Sequence, residues 1–436
     1  MNRMKALWIL WMVLGTAPAW GAGTLTLPQA VTEGLARNPT MKKLAAAEEG
    51  ASWKRDESVA GFLPHVTVDG AHYLDAKYSY LGLEFGGAEL SMPSAFPGTD
   101  LALTASVNLF DGFRGLKGVQ AGNLGKRAAS LDREDGAFKL VRQIQVLFDQ
   151  ALGAQALLDV AQRRIDSLEE LRKITQARED GGAGTRYDRL RVETLLEEAQ
   201  ANRTVAQDNV YLARKRLART MGLESDVRVL EGTLPVPDPK RIPAALATDD
   251  SGRSDLRALE LRGQALDKQS GMALAGYWPR VDFLGQKMFY KYGSFDPLVL
   301  TTPQFQGAYS VWINVHWDLF DGGADLAKSK EAGAAAEQAR QTLQEGKLQA
   351  SEDRETWSRR YLDNALLYHA RVRNIERAAE SLRLAQLGLR QGTQTNLNVL
   401  EAESDLYNSR AGAIQAQLDA VEAWVRLEIA LGRGLQ

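Results

Sequence analysis

The sequence predicts a mainly α fold with some β: long antiparallel coiled-coil helices plus four β-strands, laid out as one unit repeated twice along 436 residues. Three observations predict it. Landmarks recur in order at a nearly constant offset, proline is missing from two very long stretches, and two short segments alternate with period two.

At the N-terminus, Arg3 and Lys5 precede an apolar run from Ala6 to Gly15, and small residues follow at Ala17, Ala19, Gly21 and Ala22. A positive start, a short apolar segment and small residues describe a secretory signal peptide over 1–22. The run is shorter than the ~20 apolar residues a transmembrane helix needs. No later segment has that length and apolarity, so entry into a membrane would require β-strands. The chain has no cysteine, which excludes disulfides, thiolate metal sites and a lipid carried on an N-terminal cysteine. A net charge of −2 without a Lys/Arg block argues against a nucleic-acid partner.

The duplication is read from several landmarks. Gly61-Phe62-Leu63-Pro64 returns as Gly276-Tyr277-Trp278-Pro279, 215 residues on. Leu109-Phe110-Asp111-Gly112 returns unchanged as Leu319-Phe320-Asp321-Gly322, an offset of 210 that Gly182, Thr185, Leu190 and Glu193 share with Gly392, Thr395, Leu400 and Glu403. Met221-Gly222 pairs with Leu431-Gly432 at the same offset. The expected domains are a first repeat over 23–223 and a second over 253–436. Residues 224–252, with prolines at 235, 237, 239 and 243, form the segment between them.

Proline, the main helix breaker, is absent from 98–234 and from 304–436. Within these stretches Ile144, Leu147, Ala151, Ala154, Leu158, Ala161, Ile165 and Leu168 recur at spacings of three and four, as do Tyr407, Ala411, Ile414, Leu418, Val421 and Val425. That 3.5-residue period predicts coiled-coil packing, and the many alanines suit close helix contacts. Each stretch bends once, at Gly181-Gly182-Ala183-Gly184 and at Gly392. The result is two antiparallel helical hairpins, over about 112–222 and 322–433.

Leu101–Leu109 and Ser310–Leu319 alternate apolar with polar residues, the signature of strands with one apolar face. Weaker partners lie at Val66–Tyr73 and Val281–Phe289, giving β-hairpins at about 62–110 and 277–320 whose connections, about 74–100 and 291–309, read as loops. Trp312, Trp317, Tyr290 and Tyr292 fall in or near these strands. Four strands cannot close a barrel, since single-chain barrels begin at about 8; lipid-facing strands would therefore need several copies of the chain.

Three local features have structural readings. Asp111 and Asp321 stand where helices begin and are placed to cap their first amides. His65 and His72 point to opposite faces of a strand, His316 shares a polar face with Asn314 and Asp318, and His369 stands alone on a helix, so no bound metal or other cofactor is expected. The 181–185 glycine run lacks the following lysine of a phosphate loop and joins two helices, so it reads as a turn.

These landmarks together resemble the TolC family of outer-membrane factors over essentially the whole mature chain. The resemblance is carried by Leu25-Thr26-Leu27-Pro28-Gln29-Ala30 with Leu35 and Asn38-Pro39, in which Thr26 and Gln29 suit a capping box. The paired Gly-x-x-Pro and Leu-Phe-Asp-Gly motifs and the run from Gly392 to Glu403 complete it. The resemblance implies a homotrimer, with a 12-stranded barrel in the outer membrane continued by a periplasmic α-helical barrel. It also implies a periplasmic adaptor docking on the turns at Gly182, Gly184, Gly392 and Thr393, an inner-membrane transporter, and outer-membrane lipid as partners.

By the same resemblance, the tunnel closes at the periplasmic turns. The gate positions fall on Asp188, flanked by Arg186 and Arg189, and on Gln394, Asn398 and Glu401, with Asn398 standing where the family pattern has a carboxylate. The plainer reading is a set of solvated helix-end charges, whose surface pairs contribute only ~0–1 kcal/mol. Two functions follow: a passive outer-membrane exit duct for efflux or type I secretion, or a soluble periplasmic coiled-coil adaptor or scaffold without a pore. No nucleophile elbow, metal cluster or nucleotide loop points to an enzyme.

Overall fold

The computed structural model describes residues 24–74, 79–94, 97–224, 229–241, 253–292 and 304–432. The expected signal peptide over 1–22 lies outside these residues, as do parts of the segment 224–252 and of the two strand connections. The described residues fall into two compact units, Lys42–Gly136 with Ser251–Ser351, and Met1–Met41 with Ala137–Asp250 and Glu352–Gln436.

The first unit holds the sheet. Its strands are β1 (His65–His72), β2 (Ser79–Phe85), β3 (Ala88–Ser94), β4 (Pro97–Phe110), β5 (Arg280–Tyr292) and β6 (Gln306–His316). Four of them form one antiparallel sheet in the order β1-β4-β5-β6, so the two repeats meet between β4 and β5. The pairing Val68↔Leu103↔Lys287↔Tyr309 and its neighbours give two unlike faces. Val66, Val68, Leu101, Leu103, Phe283, Val311, Ile313 and Val315 share one face and are all exposed. On the other face, Asn108 donates to Asp282 at 2.9 Å and Gln286 to Thr104 at 3.1 Å.

Two sequence expectations change here. The connection near 74–100 is not a plain loop, because β2 and β3 pair as a separate hairpin, raising the strand total from four to six among the described residues. Its turn is Gly86-Gly87 with φ of 60° and 89°, the left-handed pair that a tight hairpin requires. The last strand also stops at His316 instead of Leu319. Its partner β5 begins at Arg280, opposite His316, just after Pro279, which has no N–H to extend the ladder.

The helix caps expected at the strand exits are present. Gly115 N–H donates to Asp111 Oδ2 at 2.7 Å, and Asp325 N–H to Asp321 Oδ2 at 2.6 Å. The Asp325 amide, followed by the Gly323 amide, holds the Asp321 carboxyl below the usual carboxylate range. At Thr26, the Gln29 side chain accepts from the Thr26 N–H at 3.1 Å.

Both units draw on two very long helices, α3 (Arg114–Asp180, 67 residues) and α6 (Ala324–Gln391, 68 residues). The shorter helices are α1 (Leu27–Arg37), α2 (Pro39–Ala60), α4 (Arg186–Met221, 36 residues), α5 (Ser254–Ala273) and α7 (Asn396–Leu431, 36 residues). No described helix is long and apolar enough to cross a membrane. The second unit packs α3, α4, α6 and α7 around apolar clusters. One contains Leu168, Val192, Leu196, Leu389, Val399 and Leu406; another contains Leu25, Ile144, Phe148, Leu217 and Met221. Of the heptad positions read from α7, Val421 and Val425 are buried, but Tyr407, Ala411, Ile414 and Leu418 are half-exposed. A second stripe, Ala402, Leu406, Ala413, Ala416, Ala420, Ala423 and Leu427, is the more buried one. Most of that stripe is alanine, whose small side chain suits close helix packing.

The inter-repeat segment is fastened to this unit. Leu25 N–H donates to Val229 O at 2.8 Å, Gln417 donates to Leu234 O and Pro235 O, and Tyr361 exchanges two hydrogen bonds with the Asp238 backbone. His369 is therefore not alone: its Nε2 lies 3.0 Å from Pro237 O.

Candidate functional site: the paired helix turns

The two helix–helix turns, all within the second unit, have the same backbone. In the first, Ala183 N–H donates to Arg178 O at 2.8 Å and Gly182 N–H to Glu179 O at 2.9 Å. In the second, Thr393 N–H donates to Gly388 O at 2.8 Å and Gly392 N–H to Leu389 O at 3.2 Å. These are Schellman closures, and they put Gly182 and Gly392 at φ of 73° and 78°, where a Cβ would be strained. The helices then restart at Thr185 and Thr395, whose hydroxyls accept from Asp188 N–H at 3.2 Å and Asn398 N–H at 3.4 Å.

This geometry defines what the gate candidates do within one chain. Asp188 Oδ2 accepts from Thr185 Oγ1 at 2.6 Å and Thr185 N–H at 3.3 Å, so the carboxylate caps α4. Asn398 is its counterpart on α7 and also bonds Gln394. Arg189 turns away from Asp188 and pairs with Glu179 at 2.7 Å and Glu193 at 2.8 Å, which stabilise its charged form. Arg186 and Glu401 are exposed, with Glu401 on the second turn of α7. The repeats differ in burial: Asn396 and Val399, which occupy the positions of Arg186 and Arg189, are both buried.

Arg178 and Asn396 were missed in the sequence, and they join the two turns. Arg178 donates from one nitrogen to Ala183 O at 3.1 Å and from another to Leu389 O on the second hairpin. A guanidinium at the end of a helix also faces the negative end of its dipole. Asn396 Nδ2 donates to Asp188 O at 3.3 Å from the other side. Between them lies a cavity of about 310 Å³ lined in part by Thr175, Gly184, Asp188 and Thr395. Arg178 corresponds to Gly388 in the second repeat, and Gly184 to Gln394. A Cβ on Gly184 would sit 3.1 Å from the Arg178 Cβ, and a Cβ on Gly388 would collide with the Gln394 side chain. Each turn thus has room for one long side chain, carried on the helix in the first repeat and on the turn in the second.

Further along the hairpins, buried charges fix how α3 meets α7. Arg142 pairs with Glu428 at 2.9 Å and Arg164 with Glu403 at 3.5 Å. Burial raises the Glu403 pKa against the opposing pull of Arg164. Asp149, 5% exposed on α3, has no hydrogen-bond partner for Oδ2 among the described residues, and burial pushes its pKa up to about 7.

Comparison with known proteins agrees with this architecture. The family model described as outer membrane efflux protein matches residues 30–223 and 250–433. The chain is 26% identical over 308 residues to the alkaline protease secretion protein AprF of Pseudomonas aeruginosa, covering 67% of this chain and 61% of that protein. It is 23% identical over 420 residues to nodulation protein T of Rhizobium leguminosarum bv. viciae, covering 94% and 82%. Among solved structures, the outer-membrane channel OprN superposes with a TM-score of 0.74 at 24% identity, covering 94% of this chain and 90% of that one.

Proposed function

We infer that this chain, which belongs to the outer membrane efflux protein family, is one subunit of the exit duct of a tripartite efflux or secretion system. The observation that carries the reading is the four-stranded sheet, with one apolar face exposed and outer strands β1 and β6 that no other described strand covers. Such a sheet is incomplete alone: open edges and exposed apolar strands invite further pairing. Three copies supply twelve strands, within the range of outer-membrane barrels. The helical hairpins then extend into the periplasm, where their turns meet the adaptor at Gly182, Gly184, Gly392 and Thr393. The inner-membrane transporter supplies the energy and the choice of cargo, so one duct architecture serves both efflux and protein secretion.

At the turns, a three-fold arrangement brings three copies of Asp188 and of Glu401 together, with Arg186, Arg189, Gln394 and Asn398 around them, as the gate. Opening requires the two hairpins of a chain to separate at the Arg178 contacts. The reaction is passive conduction and involves no bond-making step.

Membrane fractionation tests the duct reading. The chain is expected in the outer-membrane fraction, extracted only by detergent, and running as a trimer until boiled. Recovery as a soluble periplasmic monomer would support the scaffold reading instead. Crosslinking from the turns is expected to capture a periplasmic adaptor.

A further inference from the structure

The strand-to-helix turn is built twice with the same backbone but different residues. In the second repeat Leu-Phe-Asp-Gly is followed by Gly323, at φ 86°. In the first it is followed by Phe113, at φ 68°, the one described residue other than glycine with a positive φ. Left-handed backbone disfavours any residue with a Cβ, and bulky ones most. The second repeat shows that glycine satisfies this turn, so Phe113 needs a reason beyond chain geometry.

Internal packing supplies only part of one. The Phe113 ring meets Phe110 edge-on at 5.3 Å, and Phe110 meets Trp278 edge-on at 6.4 Å. Yet Phe113 stays 50% exposed, and Trp278 is 55% exposed. Phe110 pairs with Val281, which pairs with Val315, so the Phe113 contact continues the sheet's apolar face. It does so at the end where β1 and β5 begin and β4 and β6 end. Phe62 and Trp317 are exposed at that same end. Aromatic rings whose neighbours are partly apolar and partly wet are favoured at the level of lipid headgroups.

We propose that Phe113 is an interfacial anchor, held out by a strained turn so that its ring enters the headgroup layer on the periplasmic side of the outer membrane. The proposal rests on the reading that the apolar sheet face meets lipid. The occupant is a phospholipid surface, because the ring is continuous with that face and borders the helices that leave it. Headgroup-level contact fixes the height of the junction between strands and helices, and one repeat suffices to set it. The second repeat keeps the relaxed glycine.

The test uses the full-length protein in phospholipid vesicles, and the absence of native cysteine makes single labels simple. Phe113→Cys and Ile313→Cys, each carrying an environment-sensitive fluorophore, are compared with lipids spin-labelled near the headgroup or deep in the acyl chain. Phe113→Cys is expected to lose most of its emission to the shallow label and little to the deep one or to aqueous iodide, while Ile313→Cys responds to lipid labels. If Ile313 responds and Phe113 is quenched by iodide alone, the anchor is overturned and the duct reading stands. If Ile313 also responds to iodide alone, the lipid-facing sheet fails, and the anchor with it. Should the Phe113→Cys chain not insert, Phe113→Trp retains the ring. It is expected to add tryptophan emission quenchable by shallowly brominated lipid above the wild-type level, and no such gain overturns the anchor.

Discussion

Asp149 and Asp188 are both acidic, and their surroundings give them opposite jobs. Asp149 is buried, and desolvation alone raises its pKa from 3.8 to about 7. Its folded pKa exceeds its unfolded one, so the native state binds the proton more tightly between those values. Stability contributed there is present at acid pH and is lost as pH climbs from about 4 to about 7, with a slope of roughly 1.4 kcal/mol for each pH unit. Asp149→Asn is expected to flatten that slope and to raise the thermal midpoint near neutral pH. An unchanged pH profile in the variant would clear Asp149 of this effect. Asp188, in contrast, closes a capping box at the start of α4, where its carboxylate accepts from both the Thr185 N–H and the Thr185 hydroxyl, while Asn398 at the equivalent position of α7 accepts from the Thr395 hydroxyl. Asp188→Asn with Glu401→Gln removes both charges and keeps at position 188 an amide oxygen able to accept from the Thr185 hydroxyl, as Asn398 does from Thr395, a contact that alanine would lose. If carboxylate rings line the closed pore, cations are favoured. The double variant is then expected to lose cation preference in single-channel recordings without losing stability, and retained preference would dismiss the ring.

The hairpin turns show how much of an element is legible in its sequence. Glycine at 182 and 392 marks both turns, because only left-handed backbone closes them, and the three-and-four spacing marks the helices they join. The β2–β3 hairpin was hidden among glycines and prolines, although Gly86-Gly87 was a turn signal in its own right. Arg178 was invisible for a different reason: its role depends on Leu389 O, 211 residues away in the chain. Arg178→Met is expected to speed hydrogen exchange at 181–184 and 392–394, with little change in global stability. Lysine is not expected to rescue it, because a point charge cannot fork to two carbonyls as a guanidinium does. The exchange of long side chains between repeats makes a separate prediction. Gly388→Ala is expected to destabilise the second turn by crowding Gln394, and Gln394→Gly in the same chain to restore it. A double-mutant cycle would show coupling of about 0.5–3 kcal/mol, as for residues in contact; strict additivity would mean the two sites do not share space.

At the scale of the whole molecule, the duplication gives each chain two helical hairpins and a sheet of four strands, two from each repeat. Its strand order leaves β1 and β6 as the edges. Within one chain these edges are separated by β4 and β5, about 14 Å at ~4.8 Å per strand. A disulfide spans only ~4.4–6.8 Å between Cα atoms. Val66 on β1 and Val315 on β6 lie near the same end of the sheet and on the same face, and both are exposed. In a chain without native cysteine, Val66→Cys with Val315→Cys can therefore bond only between copies. If β6 of one subunit pairs with β1 of the next, oxidation is expected to yield covalent dimers and a closed covalent trimer on a non-reducing gel, with nothing larger. Shifting one partner by two residues at a time along the strand locates the register, and shifting by one turns the side chain to the other face and abolishes the bond. Open-ended ladders beyond trimer would mean that the edges join without closing, and absence of crosslinks at every register would mean that the sheet is completed by something other than its own copies.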